Sequence, residues 1–131
     1  MILDSSALIA VIMDEPGAEE LRAKISTATL AGIGAPTLVE AAMVLSRLLK
    51  TDPKPLLTEL LAILDIEVIP FTEMHSHVAM DAFSRFGKGR LPAALNFGHC
   101  LTYAVASIAG RPLLYVGNDY AQTDLASAWP R

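Results

Sequence analysis

The sequence is poor in cysteine, in basic residues relative to acidic ones, and in long apolar runs, and each shortage excludes a class of protein. Cys100 is the only cysteine, so no disulfide can form within the chain, and we expect a reducing, cytoplasmic setting. Ten lysines and arginines against 14 acidic residues give a formal net charge of −4. That balance argues against electrostatic nucleic-acid binding over the whole surface, although it allows a local basic patch beside an acidic pocket.

Neither a membrane helix nor an export signal is predicted. No uncharged apolar stretch reaches the ~18 residues that a membrane helix needs. Asp4 interrupts the first apolar run, and no cationic segment precedes that run, so we expect no signal peptide. Repeats, low-complexity tracts and linkers are lacking too, so we predict one domain over residues 1–131.

Apolar side chains are abundant and make up 53% of the chain. A sizeable core can therefore be built. The mean hydropathy of +0.43 is high for a soluble monomer, so we expect a partner or a second copy of the chain to cover some apolar surface.

Short apolar runs alternate with helical patterns along the chain. The predicted strands cover residues 1–3, 31–35, 66–71 and 112–116. The predicted helices cover residues 5–13, 18–26, 36–50, about 53–64, 72–86 and 95–109. Ser5 or Ser6 can cap the first helix, and Gly110 is expected to end the last. This alternation is typical of βαβ units, so we predict an α/β fold, with a central parallel sheet of four to five strands covered by helices on both faces.

Two acidic residues follow predicted strands. Asp4 comes directly after the first strand, and Asp119 follows the last one with only Gly117 and Asn118 between. Ligands of such sheets bind beyond the carboxyl ends of the strands, so both carboxylates are expected at the binding edge. Each also has an ordinary structural alternative, a helix cap or strand end for Asp4 and a turn residue for Asp119.

A third acid, Glu40, lies inside an apolar helix. Its ordinary alternative is a place on the solvent face with Thr37 and Arg47. Clustered carboxylates repel one another, so a cluster of three at a sheet edge usually holds a hard cation such as Mg²⁺. Bound Mg²⁺ can activate water for in-line attack on a phosphodiester.

Four stretches resemble one family, in order and over nearly the whole chain. They are 3-LDSSAL-8, 35-APTLVE-40, 86-FGKGRLPAALNFGHCLTYA-104 and 113-LLYVGNDYAQTDL-125. The family is the PIN-domain ribonucleases, and within it the VapC-type toxins of bacterial toxin–antitoxin pairs. The resemblance implies a three-layer α/β/α domain, an endoribonuclease that depends on Mg²⁺ or Mn²⁺, an RNA substrate, a small antitoxin protein as partner, and a homodimer.

The resemblance also assigns residues. Asp4, Glu40 and Asp119 match acids of the family's metal site. Ser6 matches a position that usually supports the first acid, and Asp124 matches a late acid to which we assign a supporting role at best. Asn118, in the same turn as Asp119, is predicted to support the acids as well.

His99 departs from the family pattern, which has an aspartate metal ligand at this position. We predict that His99 replaces this aspartate as a metal-site and catalytic residue. Neutral imidazole is a poor ligand for Mg²⁺ and a better one for Mn²⁺ or Zn²⁺, so we expect weaker Mg²⁺ binding and lower activity. Leu91, in 89-GRLP-92, is a second departure, because the family usually has histidine there.

Three interpretations of His99 stay open. The site works with the three acids and favours Mn²⁺; or the chain is a catalytically impaired PIN-fold module that still captures an antitoxin; or His99 is an ordinary polar helix residue. A nucleophilic pair with Cys100 is not expected, because adjacent helical residues point apart, and the thiol is predicted to be buried.

Other polar residues have weaker signals. Arg85, Lys88 and Arg90, in a glycine-rich loop, are candidate contacts for RNA phosphates, and a solvated connection is the alternative. His75 and His77 lack metal-site spacing and are predicted to be surface or partner residues. A haloacid dehalogenase-type phosphatase is a poor match because 4-DSS-6 lacks the second Asp of Asp-x-Asp, and a receiver domain is a poor match because residues 65–71 offer no Asp at a strand end.

Overall fold

A parallel sheet forms the centre of the computed structural model, which describes residues 1–87, 89 and 94–129. Its strands in this part of the chain are β1 (Ile2–Leu3), β2 (Ala31–Gly34), β3 (Ile66–Ile69) and β4 (Leu113–Leu114). Their order across the sheet is β3-β2-β1-β4, and every neighbouring pair is parallel. The predicted parallel sheet is therefore confirmed, with four strands and with β4 shorter than predicted.

Six helices connect these strands within the described residues. They are α1 (Ser5–Ile12), α2 (Ala18–Ser26), α3 (Ala35–Leu49), α4 (Lys54–Ile63), α5 (Glu73–Phe86) and α6 (Phe97–Ala109). All six lie within a few residues of their predicted bounds, and Gly110 ends α6 in a left-handed conformation as expected. No helix in the described ranges is long and apolar enough to cross a membrane.

Each face of the sheet has its own core, because successive side chains of a strand point to opposite faces. Leu3 and Leu114 pack with apolar residues of α1 to α4, including Leu8 and Leu45. Ile2, Leu113 and Tyr115 pack with residues of α5 and α6. The sheet is thus covered on both sides, which gives the predicted three-layer α/β/α arrangement.

The small residues of β2 allow a helix to approach it closely. A Cβ atom placed on Gly34 would lie 2.8 Å from Cγ2 of Val105 in α6. Glycine therefore lets α6 pack directly on the carboxyl end of β2, next to the start of α3. This contact fixes the two helices that carry Glu40 and His99.

His75 corrects a prediction, because it is buried rather than at the surface. Its side chain is only 7% exposed and packs against Phe71, with ring centroids 5.2 Å apart. It occupies the third position of α5, where its Nδ1 accepts the backbone N–H of Thr72 at 3.0 Å and forms a capping box. His77 is exposed, as predicted, and lies 3.7 Å from Glu73.

Candidate active site

Asp4 lies at the carboxyl end of β1 and is the N-cap of α1, which confirms the helix-cap alternative for Asp4; neither Ser5 nor Ser6 is the cap. Asp4 accepts the backbone N–H of Ser6 on Oδ2 at 3.1 Å and the hydroxyl of Tyr120 on Oδ1 at 2.7 Å. The residue is 4% exposed. An aspartate can provide the helix cap that serine would provide, and two charge-assisted hydrogen bonds compensate its burial.

Ser6 supports Asp4 through its backbone rather than through its hydroxyl. The amide of Ser6 donates to Asp4, whereas its Oγ accepts the N–H of Val116 at 3.0 Å. The hydroxyl thus ties the start of α1 to the segment that follows β4. This segment turns at Gly117, whose φ of 103° is a conformation that favours glycine, and then brings Asp119 to the site.

Tyr120 belongs to the candidate site although it was not predicted as a site residue, and its only signal in the sequence is the aromatic position after Asp119. It is 1% exposed, and its ring lies edge-on to Tyr115 and His99, with centroids 5.0 and 5.2 Å away. Burial raises the pKa of Tyr120 well above its usual value, and the charges of Asp4 and Glu40 raise it further. The phenol therefore stays protonated and donates to Asp4.

Glu40 approaches the same centre from α3. Its carboxylate lies so close to Gly98 that a Cβ at residue 98 would overlap it. Thr37, one turn earlier, is 2% exposed and shares a 2.9 Å hydrogen bond with Thr102 of α6. This side of α3 therefore packs towards α6, and Glu40 is partly buried there, whereas Arg47 is exposed. Gly98 was not predicted as a site residue.

His99 lies at the third position of α6 and is half-buried. The ring Nδ1 of His99 accepts the backbone N–H of Asn96 at 3.2 Å. The backbone N–H of His99 donates to Oδ1 of Asn96 at 2.9 Å. On the other side of the ring, Nε2 lies 3.4 Å from Oδ2 of Asp119. The Asp119 side chain is 55% exposed, so this carboxylate forms the solvent-facing rim of the site.

Asp124 and Arg85 lie in a different network from these acids. Asp124 accepts the Tyr103 hydroxyl at 2.6 Å and pairs with Arg85 at 3.1 Å. The hydrogen bond from Tyr103 is the main reason why the pKa of Asp124 is lowered. Burial and Asp124 together raise the pKa of Tyr103 to about 12. This network fastens the C-terminal segment to α5 and α6.

Lys88, Arg90 and Leu91 lie outside the described residues. For Asn118, a backbone contact is described, in which its carbonyl accepts the N–H of Ala121 at 3.1 Å. Cys100 is 4% exposed, as predicted, and burial raises the pKa of its thiol.

The carboxylate oxygens are ligands of the kind that a divalent cation prefers, but their side chains do not converge on a single point. Within residues 1–87, 89 and 94–129, no group of three or more His, Cys, Asp or Glu side chains is arranged to hold a metal ion. Each Asp4 oxygen accepts one described hydrogen bond and keeps a second lone pair, and Glu40 and Asp119 add further hard oxygen donors. In His99, by contrast, the lone pair of Nδ1 is already engaged by Asn96.

The fold and the site together define an α/β domain with an acidic centre at the carboxyl edge of a parallel sheet. The PIN domain family matches residues 1–125. Ribonuclease VapC36 of Mycobacterium tuberculosis is 40% identical over 126 residues, which cover 95% of this chain and 91% of that protein. The chain therefore belongs to the PIN-domain family, among relatives that are VapC ribonucleases.

Solved structures show the same fold. VapC20 of Mycobacterium tuberculosis, described as a sarcin–ricin loop cleaving toxin, has a TM-score of 0.78 at 16% identity, with 98% of both chains covered. A toxin–antitoxin complex from Klebsiella pneumoniae has a TM-score of 0.71 at 14% identity, with 99% of this chain and 98% of that chain covered. At these identities the likeness concerns the fold.

Proposed function

We propose that this protein is the toxin of a toxin–antitoxin pair and an endoribonuclease that hydrolyses RNA phosphodiesters with Mg²⁺ or Mn²⁺, in a cytoplasmic setting. One observation carries the proposal. Residues that are far apart in sequence meet at one place: the Glu40 carboxylate packs against Gly98, the neighbouring His99 lies 3.4 Å from Asp119, and Tyr120, which follows Asp119, donates to Asp4. The match to VapC ribonucleases supports the reaction class.

Asp4, Glu40 and Asp119 are the residues that would hold the metal ion. A bound divalent cation would supply activation of water for in-line attack and compensation of charge on the leaving oxygen. The chain itself orients these acids. Ser6 and Tyr120 fix the Asp4 carboxylate, and Gly98 leaves the space that the Glu40 carboxylate occupies.

The RNA would enter along a groove between α3 and α6 that has Glu40 in its wall. This groove has a volume of about 590 Å³, and Arg47 and Phe97 also line it. Phe97 is 80% exposed, which is unusual for an aromatic residue and suits stacking on a base. Arg47 offers a positive charge for a phosphate. Arg85 is a weaker candidate for this role than the sequence suggested, because Asp124 already pairs with its guanidinium.

An antitoxin is proposed as the protein partner, with an amphipathic helix in the groove between α3 and α4. That groove has a volume of about 730 Å³, and its wall is mainly apolar, with Leu38, Met43 and Leu57 among its residues. The Klebsiella pneumoniae structure is itself a toxin–antitoxin complex. A homodimer is also part of the proposal, and the exposed Met80 and Phe83 of α5 offer an apolar surface for it.

Cleavage of RNA with and without a metal ion tests the proposal. We expect the purified chain to cut RNA in Mn²⁺ or Mg²⁺, to stop in a chelator, and to lose activity when Asp119 becomes Asn. Asp65→Asn is the matched control, because Asp65 precedes β3 at the opposite edge of the sheet and its φ of 53° suits asparagine. Cleavage that survives both the chelator and Asp119→Asn would contradict the proposal.

A second candidate function is an impaired PIN-fold module that binds an antitoxin without cutting RNA. The contacts of His99 favour it, because a histidine already bound to Asn96 and facing Asp119 replaces a family carboxylate. This candidate predicts a stable complex with the small protein encoded beside it, measured by co-purification, together with no cleavage in any metal. Recovery of cleavage in His99→Asp would show that His99 is the cause.

A further inference from the structure

His99 has two partners that between them determine which of its ring nitrogens carries the proton. The backbone N–H of Asn96 points at Nδ1, and a backbone amide is always a donor. Nδ1 must therefore provide its lone pair. A neutral imidazole has one bare nitrogen and one N–H, so the proton of neutral His99 lies on Nε2.

Nε2 of His99 lies beside a carboxylate, 3.4 Å from Oδ2 of Asp119. This separation is longer than an ordinary N–H···O hydrogen bond, so the contact is an electrostatic attraction between the Nε2–H dipole and a negative oxygen. The arrangement is favourable in the neutral state of the ring. It also leaves neither ring nitrogen with a lone pair for a metal ion.

We propose that His99 is a positioning residue whose Nε2 attracts the Asp119 carboxylate electrostatically, with its ring fixed by Asn96, and that it is not itself a metal ligand. The inference rests on the proposed function, because the position of Asp119 matters for RNA cleavage only if Asp119 is one of the three acids of the nuclease site. It replaces the expectation that His99 stands in for the family's aspartate as a ligand.

The chain contains an internal reference for this geometry. His75 occupies the same third position in α5, where its Nδ1 accepts the N–H of Thr72 at 3.0 Å and also lies 2.8 Å from the Thr72 hydroxyl, which can donate to it as well. Its ring faces Phe71, whereas Nε2 of His99 faces Asp119. The two histidines should therefore share a tautomer and differ in their response to changes at Asp119.

Imidazole ¹⁵N NMR of the full chain, at a pH where the rings are neutral, tests the inference. We expect a bare Nδ1 and a protonated Nε2 for both His99 and His75, and we expect this pattern to persist when MgCl₂ is added. Asp119→Asn should shift the Nε2 signal of His99 and leave His75 unchanged, and Asp65→Asn should move neither. The His75 signal in each spectrum reports whether the variant is folded.

Three results would overturn the inference: a proton on Nδ1 of His99, loss of the Nε2 proton when Mg²⁺ binds, or no response of His99 to Asp119→Asn in a folded variant. None of them depends on RNA cleavage. If the chain cuts no RNA while the His99 pattern is as expected, the proposed function fails and the inference about His99 stands.

Discussion

Removal of one hydroxyl group, in Tyr120→Phe, should destabilise the fold and the site together. The phenol donates at 2.7 Å to the carboxylate of Asp4, which is 4% exposed, and no solvent can easily replace that donor. A hydrogen bond to a charged group contributes about 1.5–3 kcal/mol, and phenylalanine conserves the packing of the ring. We therefore expect the free energy of unfolding to fall by that amount.

The corresponding change in melting temperature follows from the length of the chain. Unfolding entropies near 2.1 cal/mol/K per residue give about 0.28 kcal/mol/K for this chain, so Tm should fall by about 5–11 °C. Thermal unfolding by circular dichroism measures it. Tyr103→Phe is the matched control: its hydroxyl donates to Asp124, whose side chain is 52% exposed, so the loss should be smaller, about 1 kcal/mol or less. A Tyr120→Phe variant as stable as the wild type would refute the reasoning.

Three further predictions concern the site and its surroundings. Gly98→Ala should reduce RNA cleavage because the new Cβ displaces the Glu40 carboxylate, while Tm changes little since alanine favours the helix; undiminished single-turnover rates would count against it. His99→Asp should tighten Mg²⁺ binding about tenfold, or about 1.4 kcal/mol, in isothermal titration calorimetry, because a hard oxygen is added; unchanged affinity would show that residue 99 is not limiting. Tyr103 has a folded-state pKa of about 12, above its usual 10.0, so its stabilising contribution should be complete below pH 10 and disappear between pH 10 and 12. Phenolate absorbance would follow its ionisation, and a steeper alkaline loss of stability in Tyr103→Phe would contradict that sign.

The fold could be predicted closely because its signals are local. Strand positions followed from short apolar runs, and helix bounds followed from periodicity together with Pro36, Thr72 and Gly110. The cap of α1 had more than one candidate, because serine and aspartate are equally good caps. The structure shows Asp4 as the cap, and its other oxygen accepts the hydroxyl of Tyr120, which is 116 residues away in sequence.

The placement of Asp4 and Asp119 after the carboxyl ends of two neighbouring strands could be predicted, because the ends of parallel strands meet at one side of a sheet. The roles of the surrounding residues could not, because they depend on tertiary contacts. Gly98 matters only because Glu40 packs on it. From the sequence, Arg85 was predicted to contact RNA. The structure shows that it pairs with Asp124, which lies 39 residues later in the chain. His75 and His99 each follow a helix-capping residue, Thr72 or Asn96, by three positions. This spacing is the sequence signal of a capping box, but the box usually has Glu or Gln where these two have histidine, so it is easily overlooked.

Single-turnover cleavage of RNA in Mn²⁺ by Glu40→Gln, compared with the wild type and with Asp65→Asn, tests the central claim most directly. Glutamine keeps the size of the side chain beside Gly98 and removes only its charge, so both variants should melt close to the wild type. If the acids at the sheet edge form the active site, Glu40→Gln should be slower by at least about 100-fold, and Asp65→Asn should be unaffected. Equal rates for Glu40→Gln and the wild type would contradict the claim and place the chemistry elsewhere in the chain.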